Sequence, residues 1–165
     1  MPTPVLVLGL GNDILSDDAA GLLVAAAVHE RLAGEPDIEV RATTEMGLAL
    51  LDEIAGREAV VLVDSVQTGR APPGHIHEFG PEELSTVLTT SPHFLGVGET
   101  LALGQRLGLA MPRQVRIFAL EVHDPFTVGT HLTPAVQQAV PTAAERVAEQ
   151  ARAFAAISIP AGISE

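Results

Sequence analysis

Short apolar runs alternate along the chain with longer stretches in which apolar residues recur every three or four positions. The runs are typical of strands in a buried parallel sheet, and the longer stretches are typical of amphipathic helices. The predicted strands are 5–8, 38–42, 59–63, 75–79 and 114–122. The predicted helices are 19–32, 46–54, 94–107 and 132–154, with a short helical turn at 82–88 and a kink or break at Pro141.

The order of these elements predicts the fold class. It is βαβαβ, then a strand, then a helix, a strand and a helix. We expect an α/β domain, a three-layer sandwich in which a mostly parallel, twisted sheet of about five strands carries helices on both faces. Strand 75–79 alternates polar and apolar residues, as a half-exposed edge strand does. The chain of 165 residues fits one domain, with its core at 4–154 and a loosely packed tail at 155–165.

Composition excludes several classes of protein. The formal net charge is −12 and only 9 residues are Lys or Arg, so the surface is unsuited to nucleic acid. Cysteine is absent, which excludes disulfides, thiolate metal sites and cysteine nucleophiles. No apolar run approaches the roughly 20 residues that cross a bilayer. We therefore expect a soluble cytoplasmic protein without membrane insertion, and we favour a monomer.

Three candidate metal ligands follow apolar segments: Asp18, Asp64 and His93. The loops beyond the carboxyl ends of parallel strands form the ligand crevice of such sheets, so these side chains are expected to converge there. Two carboxylates and one imidazole suit a hard or borderline divalent metal. Taken singly, each has a simpler explanation: Asp17 or Asp18 could cap the following helix, and Asp64 and His93 could hold loops.

The turn that contains Gly9 and Gly11 resembles the start of a dinucleotide-binding fingerprint. However, Ile14 replaces the third glycine, and Asp17 and Asp18 would repel a pyrophosphate at the helix start. The sequence therefore disfavours dinucleotide binding.

The remaining histidines are interpreted as structural or solvated. His75 and His77 lie on the predicted edge strand, which favours a solvated face over a metal site. His123 and His131 are assigned to loop structure.

Four segments together resemble the hydrogenase maturation endopeptidases, which trim the C-terminus of the large subunit of nickel-iron hydrogenases. They are LVLGLGN at 6–12 with the pair Asp17-Asp18, VLVD at 61–64, SPHFLG at 91–96 and LTPAV at 132–136. Each motif alone is weak, but their order and spacing are specific. The resemblance spans about residues 4–150.

The resemblance implies a peptidase whose metal-contacting trio is carried onto Asp18, Asp64 and His93. It also implies that nickel, already carried by the large-subunit precursor, is a recognition handle on that partner, so that free divalent metal binds the protein weakly. We consider Asp17 an auxiliary carboxylate. This chain departs from the family pattern at loop 42–47, which lacks the usual glycine-rich turn and is associated with substrate choice. In some members the acid at Asp18 is a glutamate.

Other functions and routes remain open. The chain could be a non-catalytic nickel-binding chaperone that holds the precursor, or a nucleotide-binding or small-molecule hydrolase domain. It has no His-Glu-x-x-His pair and no Gly-x-Ser-x-Gly elbow, so zinc-protease and serine-hydrolase routes lack their motifs. Cleavage would proceed through a metal-polarised carbonyl or through a carboxylate acting as general base on water.

Overall fold

The computed structural model describes residues 2–45, 47–83, 97–129 and 131–158. A five-stranded sheet in the order β2-β1-β3-β5-β4 lies between two layers of helices, and only β4 is antiparallel to its neighbour. The strands are β1 (Val5–Leu10), β2 (Ile38–Thr43), β3 (Ala59–Val66), β4 (Ile76–Phe79) and β5 (Gln114–Glu121). The helices are α1 (Ala20–Arg31), α2 (Ala49–Ile54), α3 (Val97–Arg106) and α4 (Pro134–Ser158). The predicted fold class is confirmed.

The two faces of the sheet bury separate aliphatic cores. Every residue of β1 and β3 is buried, because helices cover these strands on both sides. Successive side chains of a strand point to opposite faces. One core combines alternate residues of β1, β3 and β5 with α1 and α4, and the other combines the remaining residues with α2 and α3. By this alternation Asp64 lies on the α2–α3 face of β3.

Several boundaries differ from the predictions. A 3-10 turn at Asp17–Ala19 precedes α1, and no side chain caps that turn or the helix, so the predicted capping by Asp17 or Asp18 is wrong. Helix α2 begins at Ala49, not at 46, because Gly47 has a positive φ of 65° that no α-helix accommodates. Strand β3 continues to Val66 and therefore contains Asp64.

Helix α4 is longer than predicted. It runs as one helix through Pro141 to Ser158, so no break occurs, and residues 155–158 of the expected tail are helical. Pro141 and Gln137 are both exposed, so water can hydrate the Gln137 carbonyl that the proline leaves without a helical donor. A 3-10 turn at Pro81–Glu83 overlaps the start of the helical turn predicted at 82–88, and the rest of that turn lies outside the described residues. The first residues of the predicted helix 94–107, which are 94–96, and the end of the predicted tail, 159–165, also lie outside them. No described helix is both long and apolar enough to cross a membrane.

Glycines allow α1 to lie directly on the carboxyl ends of β1 and β3. A Cβ atom on Gly21 would clash with the carbonyl oxygen of Leu10 and would lie 2.7 Å from that of Val63 and 3.0 Å from the Asp64 Cα. A Cβ on Gly9 would clash with the Gly21 carbonyl from the other side. The Gly-x-Gly turn thus provides helix-to-sheet contact.

Two loops meet above the carboxyl end of β3. They follow β1 and β5, which are the two neighbours of β3 in the sheet. An antiparallel β-bridge joins Leu15 to Val128, and the Ser16 amide donates to the Thr127 carbonyl at 2.9 Å. We call the paired segments, residues 14–16 and 127–129, the loop ribbon.

Asp17 fastens these loops together. Its carboxylate is fully buried and accepts hydrogen bonds from the amides of His123 (3.2 Å), Asp124 (3.0 Å) and Thr133 (2.7 Å). The Thr133 hydroxyl also donates to it, at 2.9 Å to Oδ2. Hydrogen bonds to an ionised acceptor are the strong ones, so this clamp ties the start of α1 to the start of α4.

We predict that Gly21→Ala destabilises the protein by about 2–3 kcal/mol, because the new methyl group meets backbone atoms of two strands that cannot move away. Urea denaturation measures this change. Gly98→Ala is the control, since that helical glycine has open space around its Cβ position, and it should leave stability unchanged or raise it by up to about 1 kcal/mol. Equal effects of the two substitutions would contradict the close contact.

We predict that Asp17→Asn lowers the free energy of unfolding by about 2–3 kcal/mol, because an amide group cannot accept at both positions and leaves buried N–H donors without a partner. Chemical denaturation reports the loss. Asp13→Asn is the control, since Asp13 is exposed and lies outside the clamp, and it should leave the free energy of unfolding unchanged. An unchanged midpoint for Asp17→Asn would show that the clamp does not stabilise the fold.

Candidate functional site

Asp18 and Asp64 both accept a hydrogen bond from Ser65. The Ser65 hydroxyl donates to Asp18 Oδ1 at 2.9 Å, and the Ser65 amide donates to Asp64 Oδ1 at 2.7 Å. Asp64 is fully buried and Asp18 is only 7% exposed. Two carboxylates that are 46 positions apart in the sequence thus lie within hydrogen-bond reach of one residue. The structure thus places both residues at the carboxyl end of β3, and their role as metal contacts stays a prediction.

The position of Asp18 follows from the close packing of the turn on β1. The Asn12 amide donates to the Asp18 carbonyl at 3.2 Å and closes the loop between them. A Cβ on Gly11 would clash with that same carbonyl, so only a glycine lets the Asp18 backbone come so close. Asp64 pairs with Ala119 of β5, and on its other side the pairing of β3 with β1 ends one residue earlier, at Val63.

This pair of carboxylates suits a cation. Buried negative charge is unfavourable unless hydrogen bonds or positive charge compensate it, and carboxylate oxygens are good ligands for divalent metals. Within the described parts of the chain, no group of three His, Cys, Asp or Glu side chains is arranged to hold a metal ion. Asp18 and Asp64 supply two donors. His93, the third predicted ligand, lies outside the described residues.

The neighbouring acid, Asp17, has different partners. Its two oxygens are occupied by amides and a hydroxyl of the β5–α4 loop, and its side chain has no exposed surface. The auxiliary catalytic role of Asp17 stays a prediction, and these contacts favour the structural role of a clamp.

Sequence reasoning missed a fourth buried carboxylate, Glu121, at the end of β5. Register pairs Glu121 with Val66, two residues beyond Asp64, so both acids lie on the α2–α3 face of the sheet. Glu121 accepts hydrogen bonds from the amide of Thr68 at 2.7 Å and from its hydroxyl, and His77 Nε2 lies 3.1 Å from Glu121 Oε1. The available signal was an acid that ends a buried apolar run, as at Asp64.

The histidines of the edge strand behave differently from each other. His77 is largely buried against Glu121, so its interpretation as part of a solvated face is wrong. His75 is exposed, and its ring contacts that of His77 edge-on at a centroid distance of 4.7 Å. The contact of His77 with Glu121 ties the edge strand β4 to the end of β5.

Asp124 shapes the tip of the β5–α4 loop. The Thr127 side chain, together with the amides of Thr127 and Phe126, donates hydrogen bonds that hold the pKa of the Asp124 carboxyl below its usual value. The ionised form is therefore the one that fits this turn.

Comparison with known proteins agrees with this architecture. The family described as HycI, hydrogenase maturation protease, matches residues 23–150. The Hydrogenase 2 maturation protease of Escherichia coli is 27% identical over 158 residues, covering 94% of this chain and 95% of that protein.

Solved structures extend the likeness to three dimensions. The hydrogenase maturating endopeptidase HybD from Escherichia coli superimposes with a TM-score of 0.73 at 27% identity, covering 90% of this chain and 92% of that one. The [NiFe] hydrogenase maturation protease HybD from Thermococcus kodakarensis gives 0.68 at 25% identity, covering 89% and 98%. With the family match extending over most of its length, the chain belongs to the hydrogenase maturation protease family.

Proposed function

We propose that the protein is an endopeptidase that recognises nickel in the precursor of a nickel-iron hydrogenase large subunit and removes its C-terminal extension. Membership of a protease family makes it a peptidase, and its relatives are named for hydrogenase maturation. The observation that carries the proposal is that Ser65, at the carboxyl edge of the sheet, donates a hydrogen bond to both Asp18 and Asp64.

Nickel enters this proposal as part of the substrate. Asp18, Asp64 and His93 are the proposed contacts to the nickel that the precursor carries. Two carboxylates at the same edge of the sheet favour a cation, which supports recognition of a loaded precursor. The described carboxylates alone provide only two donors, so the ligands of the precursor complete the coordination and free ion binds weakly.

Peptide-bond hydrolysis requires a base, an attacking water and a leaving amine. In our proposal a carboxylate oxygen of the Asp18–Asp64 pair accepts a proton from water while the water oxygen attacks the scissile carbonyl carbon. The C–N bond then breaks, and the departing amine takes up the proton. Nickel bound to the precursor positions the bond relative to the carboxylates.

The identity of the partner rests on the family. The proposed partner is the large-subunit precursor, with no nucleic acid involved. The monomeric state and the cytoplasmic location stay predictions.

We predict that the protein shortens the nickel-loaded precursor by a C-terminal peptide and leaves the nickel-free precursor intact, because only the loaded form brings a cation to the two carboxylates. Mass spectrometry of the large subunit after incubation measures the cleavage. Unchanged mass in both samples, with the loaded precursor still bound, would support the chaperone hypothesis instead.

We predict that Asp64→Asn and His93→Ala abolish processing, at least 100-fold in rate, on the scale expected when a general base or metal contact is lost. The melting temperature should stay close to that of the wild type. Asp52→Asn, an equivalent exchange at an exposed acid of α2, serves as the control and should process normally. Full activity of Asp64→Asn, or loss of folding in step with activity, would assign the pair a structural role.

A further inference from the structure

The loop ribbon carries large apolar side chains on its outside. Eight such side chains are strongly exposed in the described part of the chain, and three of them lie on or directly beside the ribbon. Phe126 is 76% exposed, Val128 75% and Ile14 59%. Ile14 precedes the bridged Leu15 and so lies on the other side of the ribbon, whereas Phe126 and Val128 share one side. Single exposed apolar residues are ordinary, but such a neighbouring pair on a fixed loop is characteristic of an interaction site.

The ribbon is held too firmly to bury these side chains by rearranging. The Gly129 amide donates to the Ile14 carbonyl at 3.0 Å, next to the bridge between Leu15 and Val128. The Asp17 clamp fixes both loops from beneath. The Asp124 carboxylate accepts from the Phe126 amide at 3.0 Å and so sets the turn that presents this phenylalanine. The apolar exposure is therefore a property of the fixed backbone.

The ribbon is continuous with the candidate site. Ile14 lies in the loop that the contact between Asn12 and Asp18 closes, so it is four residues from a site carboxylate. The two loops approach from the strands on either side of β3, whose end carries Asp64. The ribbon therefore lies at the same edge of the sheet as the two carboxylates.

The charge around the ribbon indicates what kind of segment fits. Residues 11–18 and 121–129 contain no Lys or Arg, and their carboxylates are Asp13, Asp17, Asp18, Glu121 and Asp124. Of these, Asp13 is exposed and Asp124 half-buried, whereas Asp17, Asp18 and Glu121 are buried beneath the ribbon. An apolar segment with flanking basic residues is complementary to the exposed acids and to the negative charge beneath them. A second copy of this chain is not, because each copy has a formal net charge of −12.

We propose that the loop ribbon is the docking surface for the segment of the precursor that flanks the scissile bond, and that it binds apolar side chains of that segment beside basic ones. This rests on the proposed function and adds the surface that holds the substrate. Phe126 and Val128 contribute to binding of the precursor, whereas Asp18 and Asp64 act on the bond.

The test uses the nickel-loaded precursor as probe and the double variant Phe126→Ser with Val128→Ser. We expect KM for processing and Kd for binding to rise at least tenfold, which corresponds to about 1.4 kcal/mol. The rate at saturating precursor and the melting temperature should stay within error of the wild type. Leu107→Ser with Leu109→Ser is the control, since these exposed residues follow α3 at the opposite edge of the sheet, and it should change neither constant.

Each other outcome overturns the proposal. Unchanged KM and Kd, a fall in maximal rate alone, or an equal effect of the control pair would remove the ribbon from substrate binding. A wild-type dimer in sedimentation that the ribbon variant converts to a monomer would identify a second copy as the occupant. If the wild-type protein binds the loaded precursor without cutting it, the peptidase proposal fails, while the Kd of the ribbon variant still tests the docking surface. If the wild-type protein does not bind the loaded precursor, both the peptidase proposal and the docking proposal fail.

Discussion

Direct backbone contact between α1 and the carboxyl ends of β1 and β3 is the constraint from which the site follows. A side chain at Gly21 would hold the helix away from both strands, and the turn that carries Asp18 would move with it. Because residue 21 is a glycine, the helix packs closely, and Asp18 accepts a hydrogen bond from the hydroxyl of Ser65, the residue after Asp64. The glycines that resemble a phosphate-binding turn therefore serve close helix-to-sheet packing. Asp17 and Asp18 lie at the helix start, where their negative charge would repel a phosphate.

Asp17 and Asp18 show how adjacent identical residues take separate roles. The 3-10 turn directs one carboxylate toward the β5–α4 loop and the other toward β3. Each is buried, and the difference lies in the donors that surround it. Three backbone amides and the Thr133 hydroxyl donate to Asp17, whereas Asp18 shares a serine with a second acid. A substitution at either position thus probes a different property, organisation of the loops for Asp17 and the proposed chemistry for Asp18.

The sequence predicted the fold well because buried parallel strands leave a plain signal. Uninterrupted apolar runs such as 59–63 identified the central strands, and the element order gave the helices on both faces. The same logic placed Asp18 and Asp64 at one edge of the sheet. Sequence periodicity could not predict which way Asp17 would point, because that depends on amides more than a hundred residues away. It also missed Glu121, whose partners Thr68 and His77 lie in the β3–β4 connection and on β4. The predicted break at Pro141 did not occur, because solvent can hydrate the carbonyl that the proline leaves without a donor.

The hydrogen bonds that hold the loops near β3 have a thermodynamic consequence. Asp17 ties together the loops that follow β1 and β5, and Glu121 with Thr68 and His77 ties down the β3–β4 connection. These loops, which form the rim around Asp64, therefore lose their conformational entropy when the chain folds and not when a ligand binds. A preorganised rim of this kind lets more of the interaction free energy appear as affinity, because little further ordering of the protein accompanies association.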